Sequence, residues 1–339
     1  MDGDPEAGLN GGWRGRRVLV TGGAGFLGST VVQAMAAEGA QVTVIDAGLP
    51  GGGANPANLA GLDGRIAVIA GDLRGLDDRL LEESLGGSDA VFHLAAQTGH
   101  MASMDAPLDD LAINATGTLR LLEAMRRTGT RARFVLASTR QVYGRPRALP
   151  VDETHPVDPP DCNGVAKLAA EGYTQVYARV HGVQATILRL TNCYGPRMRV
   201  CDARQTFLGA WIRAVLRDEP FEVWGGTQMR DFTHADDVVA AMRAVATAPA
   251  QRVCGQVFNV GGFPPVSLRD LAELLVAAAG TGSYRVIPFP ADRKPIDIGS
   301  YVADDRALRQ ATGWAPRVEL APGLAGTLDY YRGRLAAYA

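Results

Sequence analysis

A glycine-rich segment near the N-terminus has the residue types and spacing that bind a pyrophosphate. It has glycines at positions 22, 25 and 28 and follows the apolar run 18–20. Glycine lets the chain turn sharply, approach the phosphates closely and enter a helix that packs tightly on the preceding strand. The helix predicted over about 25–38 directs its positive N-terminal end at the phosphates. The residues expected to contact a dinucleotide here are Gly22, Gly25, Phe26 and Leu27.

An acid follows the second apolar run, where the adenosine ribose of a dinucleotide would lie. The run 41–45 ends in Asp46, about 20 residues beyond the glycine segment. A carboxylate at this point accepts hydrogen bonds from the ribose hydroxyls and repels a 2′-phosphate. Asp46 therefore favours NAD over NADP as the cofactor.

The elements that must position these residues alternate along the first half of the chain. Short β-branched runs at 18–21, 42–46, 66–70, 90–94 and 134–137 are separated by helical segments. This alternation predicts an α/β fold with a Rossmann-like, doubly wound parallel sheet, whose ligands lie beyond the carboxyl ends of the strands. Asp72, just after the third run, could accept a hydrogen bond from the adenine amine. The other expected cofactor contacts are Leu73, Leu94, Ala95, Ala96 and Asn114.

The pattern changes after a further strand predicted at 185–190. Short strands at 221–224 and 256–260 alternate with helices predicted over about 205–216, 235–246, 268–279, 304–310 and 324–331. This half predicts a smaller C-terminal α/β lobe. We expect a flexible tail at 1–15, an NAD-binding domain at 16–190, and a mainly substrate-binding lobe at 191–339 with segments that return to the first domain.

The composition argues against several classes of partner. The 339 residues are 47% hydrophobic and 21% charged, and the net charge is −2. This balance is ordinary for a soluble protein and gives no reason to expect a nucleic acid or an anionic membrane as a partner. No run reaches the roughly 18 apolar residues that a membrane span needs, and residues 1–15 have no apolar core, so we expect a cytoplasmic protein. The four cysteines form no CxxC pair, and we expect no metal site.

The order of the motifs resembles the extended short-chain dehydrogenases/reductases, in the branch of nucleotide-sugar epimerases, dehydratases and decarboxylases. The resemblance extends over about 17–331. It implies bound NAD, a nucleotide-diphosphate sugar as substrate, and a homodimer formed by the helices predicted at 110–127 and 163–179. Besides the glycine segment and Asp46, the matching motifs are Asp72-Leu73, His93-Leu94-Ala95-Ala96, Asn114-x-x-Gly117-Thr118, Ser138 to Gly144, Asn192 to Arg197, and Arg230-Asp231-Phe232.

The resemblance also implies which residues bind the substrate. Asn192 and Arg230 would hold the diphosphate, with Arg293 or Lys294 as a further phosphate partner, and Gln141 would contact the substrate. The planar fork of an arginine suits a diphosphate geometrically and electrostatically. A salt bridge of Arg230 to a neighbouring acid, 231 or 236, is the structural alternative.

The chain departs from the family at its reactive pair, Tyr-x-x-x-Lys. By resemblance Thr139 would bond the reacting hydroxyl and Lys167 the nicotinamide ribose, but Asn163 stands at the tyrosine position. A spacing of four keeps Asn163 and Lys167 on one helix face. A tyrosinate can take a hydroxyl proton, whereas an amide has no titratable proton near neutral pH. We therefore expect Asn163 to position the substrate or a water.

Losing a general base typically costs about 10² to 10⁴ in rate. Either another group does this work or the reaction differs. The candidate substitutes are Lys167 with a lowered pKa, a water held by Asn163 and Thr139, or the side chain of His100 or Cys162.

The segment after the fifth strand bears on the type of reaction. Dehydratases and decarboxylases of the family usually have an acid there, whereas this chain has Thr139-Arg140-Gln141. The absence of an acid favours epimerisation, in which NAD oxidises a sugar hydroxyl, expected at C4, and returns the hydride to the other face. The alternatives are elimination, decarboxylation or ketoreduction with a non-standard base, or a catalytically degenerate NAD-binding sensor or scaffold. Arg140 itself could be only a rim charge.

Overall fold

Seven parallel strands form the central sheet in this computed structural model, which describes residues 12–49, 52–203 and 206–338. Their order across the sheet is β11, β6, β5, β4, β1, β2, β3, and every pairing is parallel. The chain therefore reverses direction across the sheet between β1 and β4, where ligands of such sheets bind. The strands are β1 (Arg17–Thr21), β2 (Gln41–Asp46), β3 (Ile66–Ala70), β4 (Ala90–His93), β5 (Arg133–Thr139), β6 (Ala185–Leu190) and β11 (Val257–Val260).

Helices cover both faces of this sheet and bury two separate apolar layers. One layer includes Val31 and Met35 of the helix at 26–37 with Val238 and Met242 of the helix at 235–247. The other packs Leu121 and residues of two neighbouring helices on the opposite face. These two layers confirm the predicted doubly wound class. The helices of this part are α1 (Phe26–Ala37), α2 (Asp78–Leu85), α3 (His100–Asp105), α4 (Pro107–Leu111), α5 (Gly117–Thr128), α6 (Cys162–His181), α8 (Ala235–Thr247), α9 (Ala250–Val253) and α11 (Arg306–Thr312).

The remaining elements form a smaller cluster with its own apolar core. Trp211, Phe221 and Leu271 belong to this core. Three short two-stranded sheets accompany it, and the predicted domain limits remain predictions. The elements are β7 (Asn192–Tyr194), α7 (Phe207–Leu216), β8 (Pro220–Trp224), β9 (Met229–Arg230), β10 (Phe232–His234), β12 (Val266–Ser267), α10 (Leu268–Ala279), β13 (Ser283–Ile287) and α12 (Leu320–Tyr331).

Two local predictions need correction. Trp13 falls within the predicted flexible tail, yet it is buried and its ring lies 5.9 Å from that of Phe92; residues 1–11 lie outside the described ranges. The helix predicted over 110–127 is three segments, because a π-helical turn, Ala112–Thr116, separates α4 from α5. Pro107 at the first position of α4 suits a helix start, so the helical region begins earlier than predicted.

A buried ion pair fixes α6 against the sheet. Glu171 Oε2 lies 2.6 Å from Arg189 Nη2 on β6, and Ser138 Oγ on β5 donates to Glu171 Oε1 at 2.5 Å. The guanidinium of Arg189 also stacks over the Tyr143 ring at 4.6 Å. Burial alone would lower the pKa of Arg189, but the partnership with Glu171 raises it overall. The pair therefore stays charged and joins α6, β5 and β6.

Glu171→Ala should destabilise the protein by about 3 to 5 kcal/mol, because it leaves the Arg189 charge buried without its partner. Glu83→Ala is the control, since its i,i+4 pair with Arg79 is exposed and should contribute little. Chemical and thermal unfolding measure both variants. Equal losses in the two variants would contradict the structural role assigned to Glu171.

Candidate functional site

The glycine segment packs so closely that side chains are excluded at two of its positions. Gly22 has φ +72°, and a Cβ there would lie 2.7 Å from the backbone N of Ala95. A Cβ at Gly28 would lie 2.0 Å from the carbonyl oxygen of Gly22. Gly25 is the N-cap of α1 and no side chain caps this helix end. The free N–H groups of the first turn, which includes Phe26 and Leu27, therefore fit a pyrophosphate.

Asp46 ends β2 beside this segment. Its Oδ2 accepts from Ala24 N and its Oδ1 from Gly48 N, both at 2.9 Å. These bonds aim the carboxylate at the edge of the glycine segment, as a ribose-binding acid requires. The Asp46 position therefore fits NAD.

Further predicted cofactor contacts follow the ends of β3 and β4. Asp72 is paired with Arg74 at 2.6 Å, and the side-chain hydrogen bond from Arg74 lowers the pKa of Asp72. Leu73 is buried. Ala95 N donates to Thr21 Oγ1 at 3.3 Å, which holds the segment Leu94 to Ala96 against the end of β1. An adenine amine would therefore share Asp72 with Arg74.

A buried histidine ties together the elements around the cofactor position. His93 Nδ1 lies 2.6 Å from Thr21 Oγ1, and its Nε2 lies 2.9 Å from Thr118 Oγ1. Burial lowers the pKa of His93 to about 3, so the ring is neutral. The family motif at this position therefore joins β1, β4 and α5.

Asn163 lies in a buried polar cluster, with both amide hydrogens engaged. Its Nδ2 donates to Gln97 O at 2.7 Å and to Asp110 Oδ1 at 3.1 Å. Asn114 Nδ2 donates to the same two acceptors, each at 3.1 Å. Burial raises the pKa of Asp110, and Oδ2 of Asp110 has no hydrogen-bonding partner among the described residues. The amide at position 163 is thus held by the protein itself.

Thr139 and Lys167 occupy the positions that the resemblance implies for reactive groups. Thr139 is the last residue of β5, and its Oγ1 accepts from Gln141 N at 3.2 Å. Lys167 is buried on α6, and its Nζ donates to Ala137 O at 3.0 Å. Burial lowers the pKa of Lys167 to about 8. The ammonium therefore still predominates at neutral pH and lies beside the strand end that carries Thr139.

A second polar chain lies at the first turn of α6. Asp161 caps this helix, because its Oδ1 accepts from Gly164 N at 2.7 Å. Its Oδ2 lies 2.8 Å from His100 Nδ1 and accepts from Gln141 Nε2, also at 2.8 Å. Gln141 is therefore linked to Asp161 and His100. Cys162 is partly buried at the first position of the helix.

Two guanidinium groups and an amide lie together at the ends of β5, β7 and β9. Arg140 Nη2 donates to Asn192 Oδ1 at 3.0 Å, and the Arg140 Nε is buried with no partner among the described residues. Arg230 donates to the carbonyls of Met229 and Gly299 and lies 3.5 Å from Asp297. Arg230 therefore forms its ion pair with Asp297, and not with Asp231 or Asp236, the two acids considered from the sequence.

Burial sets the electrostatics of this cluster. It lowers the pKa of Arg140, and it lowers that of Arg230 to about 10, with mutual repulsion of the two cations as a further cause. Arg293 lies apart from them in the 3₁₀ turn Ala291–Ile296 and bonds Asp292 at 3.2 Å. Within the described ranges, no hydrogen bond joins Arg293 or Lys294 to Arg140, Arg230 or Asn192.

Several site residues were not identified from the sequence. Asp110 and Asp161 were missed, and Arg140 was considered only as a rim charge. The Asp at 161, just before a helical segment, is an N-cap signal that could have marked its position. The role of Asp110 depends on contacts to α6 that no local pattern encodes.

The fold and the site together define a dinucleotide-binding protein of the extended short-chain dehydrogenase/reductase class. The chain belongs to the NAD dependent epimerase/dehydratase family, whose sequence model matches residues 18–261. This membership confirms the predicted family and the prediction of NAD as cofactor.

Individual relatives span nearly the whole chain. A UDP-glucose 4-epimerase of Mycolicibacterium smegmatis is 33% identical over 323 residues, covering 94% of this chain and 99% of the relative. The structure of Thermotoga maritima UDP-glucose 4-epimerase with UDP-glucose has a TM-score of 0.84 and 30% identity, covering 94% and 99% of the two chains. That of a Streptomyces venezuelae dTDP-glucose 4,6-dehydratase with NAD bound has a TM-score of 0.83 and 29% identity, covering 94% and 98%. Epimerases and dehydratases are thus both similar to this chain.

The described ranges lack two kinds of feature. They contain no helix that is both long and apolar enough to cross a bilayer. Nor do they bring together three or more His, Cys, Asp or Glu side chains in a group suited to a metal ion.

Gly28→Ala should abolish NAD binding or folding, because the new Cβ would overlap the Gly22 carbonyl. Gly326→Ala is the matched control: it is exposed within α12 and has no atom near the added Cβ. This control should stabilise the helix by about 0.5 to 1 kcal/mol. Bound NAD after purification and the thermal midpoint measure the effects. Normal NAD content in Gly28→Ala would contradict the close approach.

Proposed function

We propose that this protein is an NAD-dependent epimerase that inverts C4 of a nucleotide-diphosphate sugar. The observation that carries the proposal is the segment after β5. The two residues after Thr139 are Arg140, which bonds Asn192, and Gln141, which bonds Asp161. Neither residue is an acid. Elimination needs a proton donor for a leaving hydroxyl, whereas epimerisation needs only removal and return of a hydride at one carbon and of the proton on its hydroxyl. The two similar proteins that are UDP-glucose 4-epimerases support the choice of C4.

NAD supplies the acceptor, and later the donor, of the hydride from the sugar carbon. Thr139 donates a hydrogen bond to the reacting hydroxyl oxygen from the end of β5. Lys167 binds the nicotinamide ribose, and its buried positive charge stabilises the negative charge that develops on the substrate oxygen. Asn163, Asn114 and Asp110 hold the first turn of α6 against the segment that follows β4.

Arg140 and Arg230 bind the diphosphate of the substrate, together with Asn192. Two guanidinium groups that are buried close enough to repel each other are stabilised by an anion between them. A diphosphate supplies that charge and accepts the forked hydrogen bonds of arginine. Arg293 and Lys294 lie on the 3₁₀ turn that precedes Asp297, the partner of Arg230, and are candidates for a further phosphate contact.

The function is tested by incubating the protein with NAD and a panel of UDP-, dTDP-, GDP- and CDP-sugars. The expected product is a C4 epimer of unchanged mass, identified by NMR and mass spectrometry. Loss of water or of carbon dioxide would replace epimerisation by elimination or decarboxylation. Reduction with consumption of NADH would indicate ketoreduction. Tight binding without conversion of any sugar would indicate a sensor or scaffold.

Arg230→Gln should weaken UDP or dTDP binding by about 10- to 100-fold, because it removes a charged donor to the diphosphate. Arg285→Gln is the control, since this arginine is exposed and pairs with Glu222. Calorimetry with the free nucleoside diphosphates compares the two variants. An unchanged affinity in Arg230→Gln would show that the diphosphate binds elsewhere.

We also propose a homodimer that pairs the α4–α5 region and α6 of two copies. Apolar side chains are exposed along these helices, and those on α6 from Tyr173 onward recur at three- and four-residue spacings. Such a stripe is typical of a helix that packs on a partner. The exposed residues are Leu108, Leu111, Val165, Tyr173, Val176 and Val180.

Val180→Lys should shift the protein from dimer to monomer, because Val180 is 62% exposed on this stripe. A lysine near the C-terminus of α6 is compatible with the helix itself. Val68→Lys on the edge strand β3 is the control, since Val68 is 55% exposed away from the stripe. Light scattering after gel filtration gives the masses. An unchanged dimer in Val180→Lys, or a monomeric wild type, would refute the proposed interface.

A further inference from the structure

His100 and Asp161 form a hydrogen-bonded pair at the first turn of α6, the turn in which position 163 supplies no base. The Nδ1 of His100 lies 2.8 Å from Asp161 Oδ2, although the residues are 61 positions apart. The Asp161 side chain is fully buried, whereas that of His100 is 35% exposed. A buried carboxylate behind an accessible imidazole is the arrangement that orients a histidine for proton transfer.

The hydrogen bonds of Asp161 define which ring nitrogen is free. Burial alone would raise the pKa of Asp161, but the bonds from His100, Gly164 and Gln141 outweigh it and lower the pKa. The ionised carboxylate only accepts, so Nδ1 of His100 carries the hydrogen. In the neutral ring Nε2 has a lone pair, and none of the described residues hydrogen-bonds to it. The imidazole can accept a proton there while Asp161 stabilises the resulting imidazolium.

Hydrogen bonds connect His100 to two sides of the site. On one side, Gln141 bonds Asp161 at 2.8 Å, and its backbone N donates to Thr139 at 3.2 Å. On the other, Ser103 Oγ donates to the His100 carbonyl at 2.7 Å and accepts from Asn163 N at 3.1 Å. His100 is therefore anchored between the strand end of Thr139 and the helix turn of Asn163.

The other titratable groups nearby are less suitable as the base. Asp110 is completely buried, so a sugar hydroxyl has no access to its carboxylate. Lys167 donates to a backbone carbonyl and, with its pKa near 8, is mainly protonated at neutral pH. Cys162 is partly buried and has no cationic partner among the described residues that would favour its thiolate.

We infer that Nε2 of His100 is the general base that replaces the tyrosinate, and that Asp161 is its positioning residue. The inference rests on the proposed epimerase function. In the oxidation step the sugar hydroxyl gives its proton to His100 and its carbon gives a hydride to NAD, which leaves a carbonyl. In the return step the carbon receives the hydride on its other face, and the imidazolium gives the proton back to the oxygen. Protons and electrons balance over the cycle.

His100→Ala should lower kcat by about 10² to 10⁴, the usual contribution of a general base. Added imidazole should restore part of that rate. Calorimetry with the converted nucleotide sugar should show an affinity within a few-fold of wild type, because Asn192 and Arg230 remain. His181→Ala, at the exposed C-terminal end of α6, is the matched histidine control and should keep full activity.

Asp161→Asn separates the positioning role from the structural one. Asparagine is also a good N-cap, so the helix and the thermal midpoint should be kept. The loss of negative charge should lower kcat while leaving KM nearly unchanged. An amide can donate to Nδ1, which places the ring hydrogen on Nε2 and removes the lone pair needed by the base. Added imidazole should not rescue this variant, because the His100 ring still fills the site.

The outcomes distinguish a failure of the His100 assignment from a failure of the proposed epimerase function. An active wild type with an equally active His100→Ala would overturn the assignment of His100 and leave the epimerase proposal standing. An inactive His100→Ala that imidazole does not rescue and that has lost substrate affinity would indicate a structural role and also overturn the assignment. A wild type that converts no sugar of the panel would overturn the function itself, and the inference with it.

Discussion

The buried pair of Glu171 and Arg189 is the interaction on which the geometry of the site depends. It fixes the rotation and height of α6 relative to β5 and β6 at a point one helical turn beyond Lys167. Since the first turn of α6 is capped by Asp161, the helix is held at both ends of its reactive stretch. The ammonium and the amide between these two points consequently have little freedom to shift along the strand ends.

The site is assembled from two kinds of support that differ in rigidity. The cofactor side is built from backbone, where glycines allow contacts that a Cβ would block. The substrate side is built from side chains that carry charge in a buried environment, including Arg140 and Arg230. Backbone contacts bind any nucleotide with the same phosphate geometry, whereas a charged pocket selects its ligand by charge and shape. This division agrees with a family that keeps one cofactor while its substrates differ.

Local sequence patterns predicted the α/β class, the glycine segment and Asp46, because each depends on neighbours within about 20 residues. They also located Thr139 and Lys167 through the resemblance. Pairings across the fold were not predictable in this way: His100 meets Asp161 only because α3 folds over the start of α6. The π-helical turn before α5 was missed for a similar reason, since Asn114 in that turn bonds the chain after β4. The roles of the individual site residues remain predictions.

The double anchoring of α6 has a consequence for how such a protein can evolve. Because Glu171 and Asp161 also hold the helix, its placement does not depend on the hydrogen bonds of Asn163 alone. That position can change its chemistry while the scaffold, the cofactor loop and the buried Arg140 and Arg230 stay as they are. Loss of the phenol would then be compensated by a histidine from another helix, α3, which acquires the role before or after the tyrosine is lost. Different reactions can thus arise on one scaffold without a new fold.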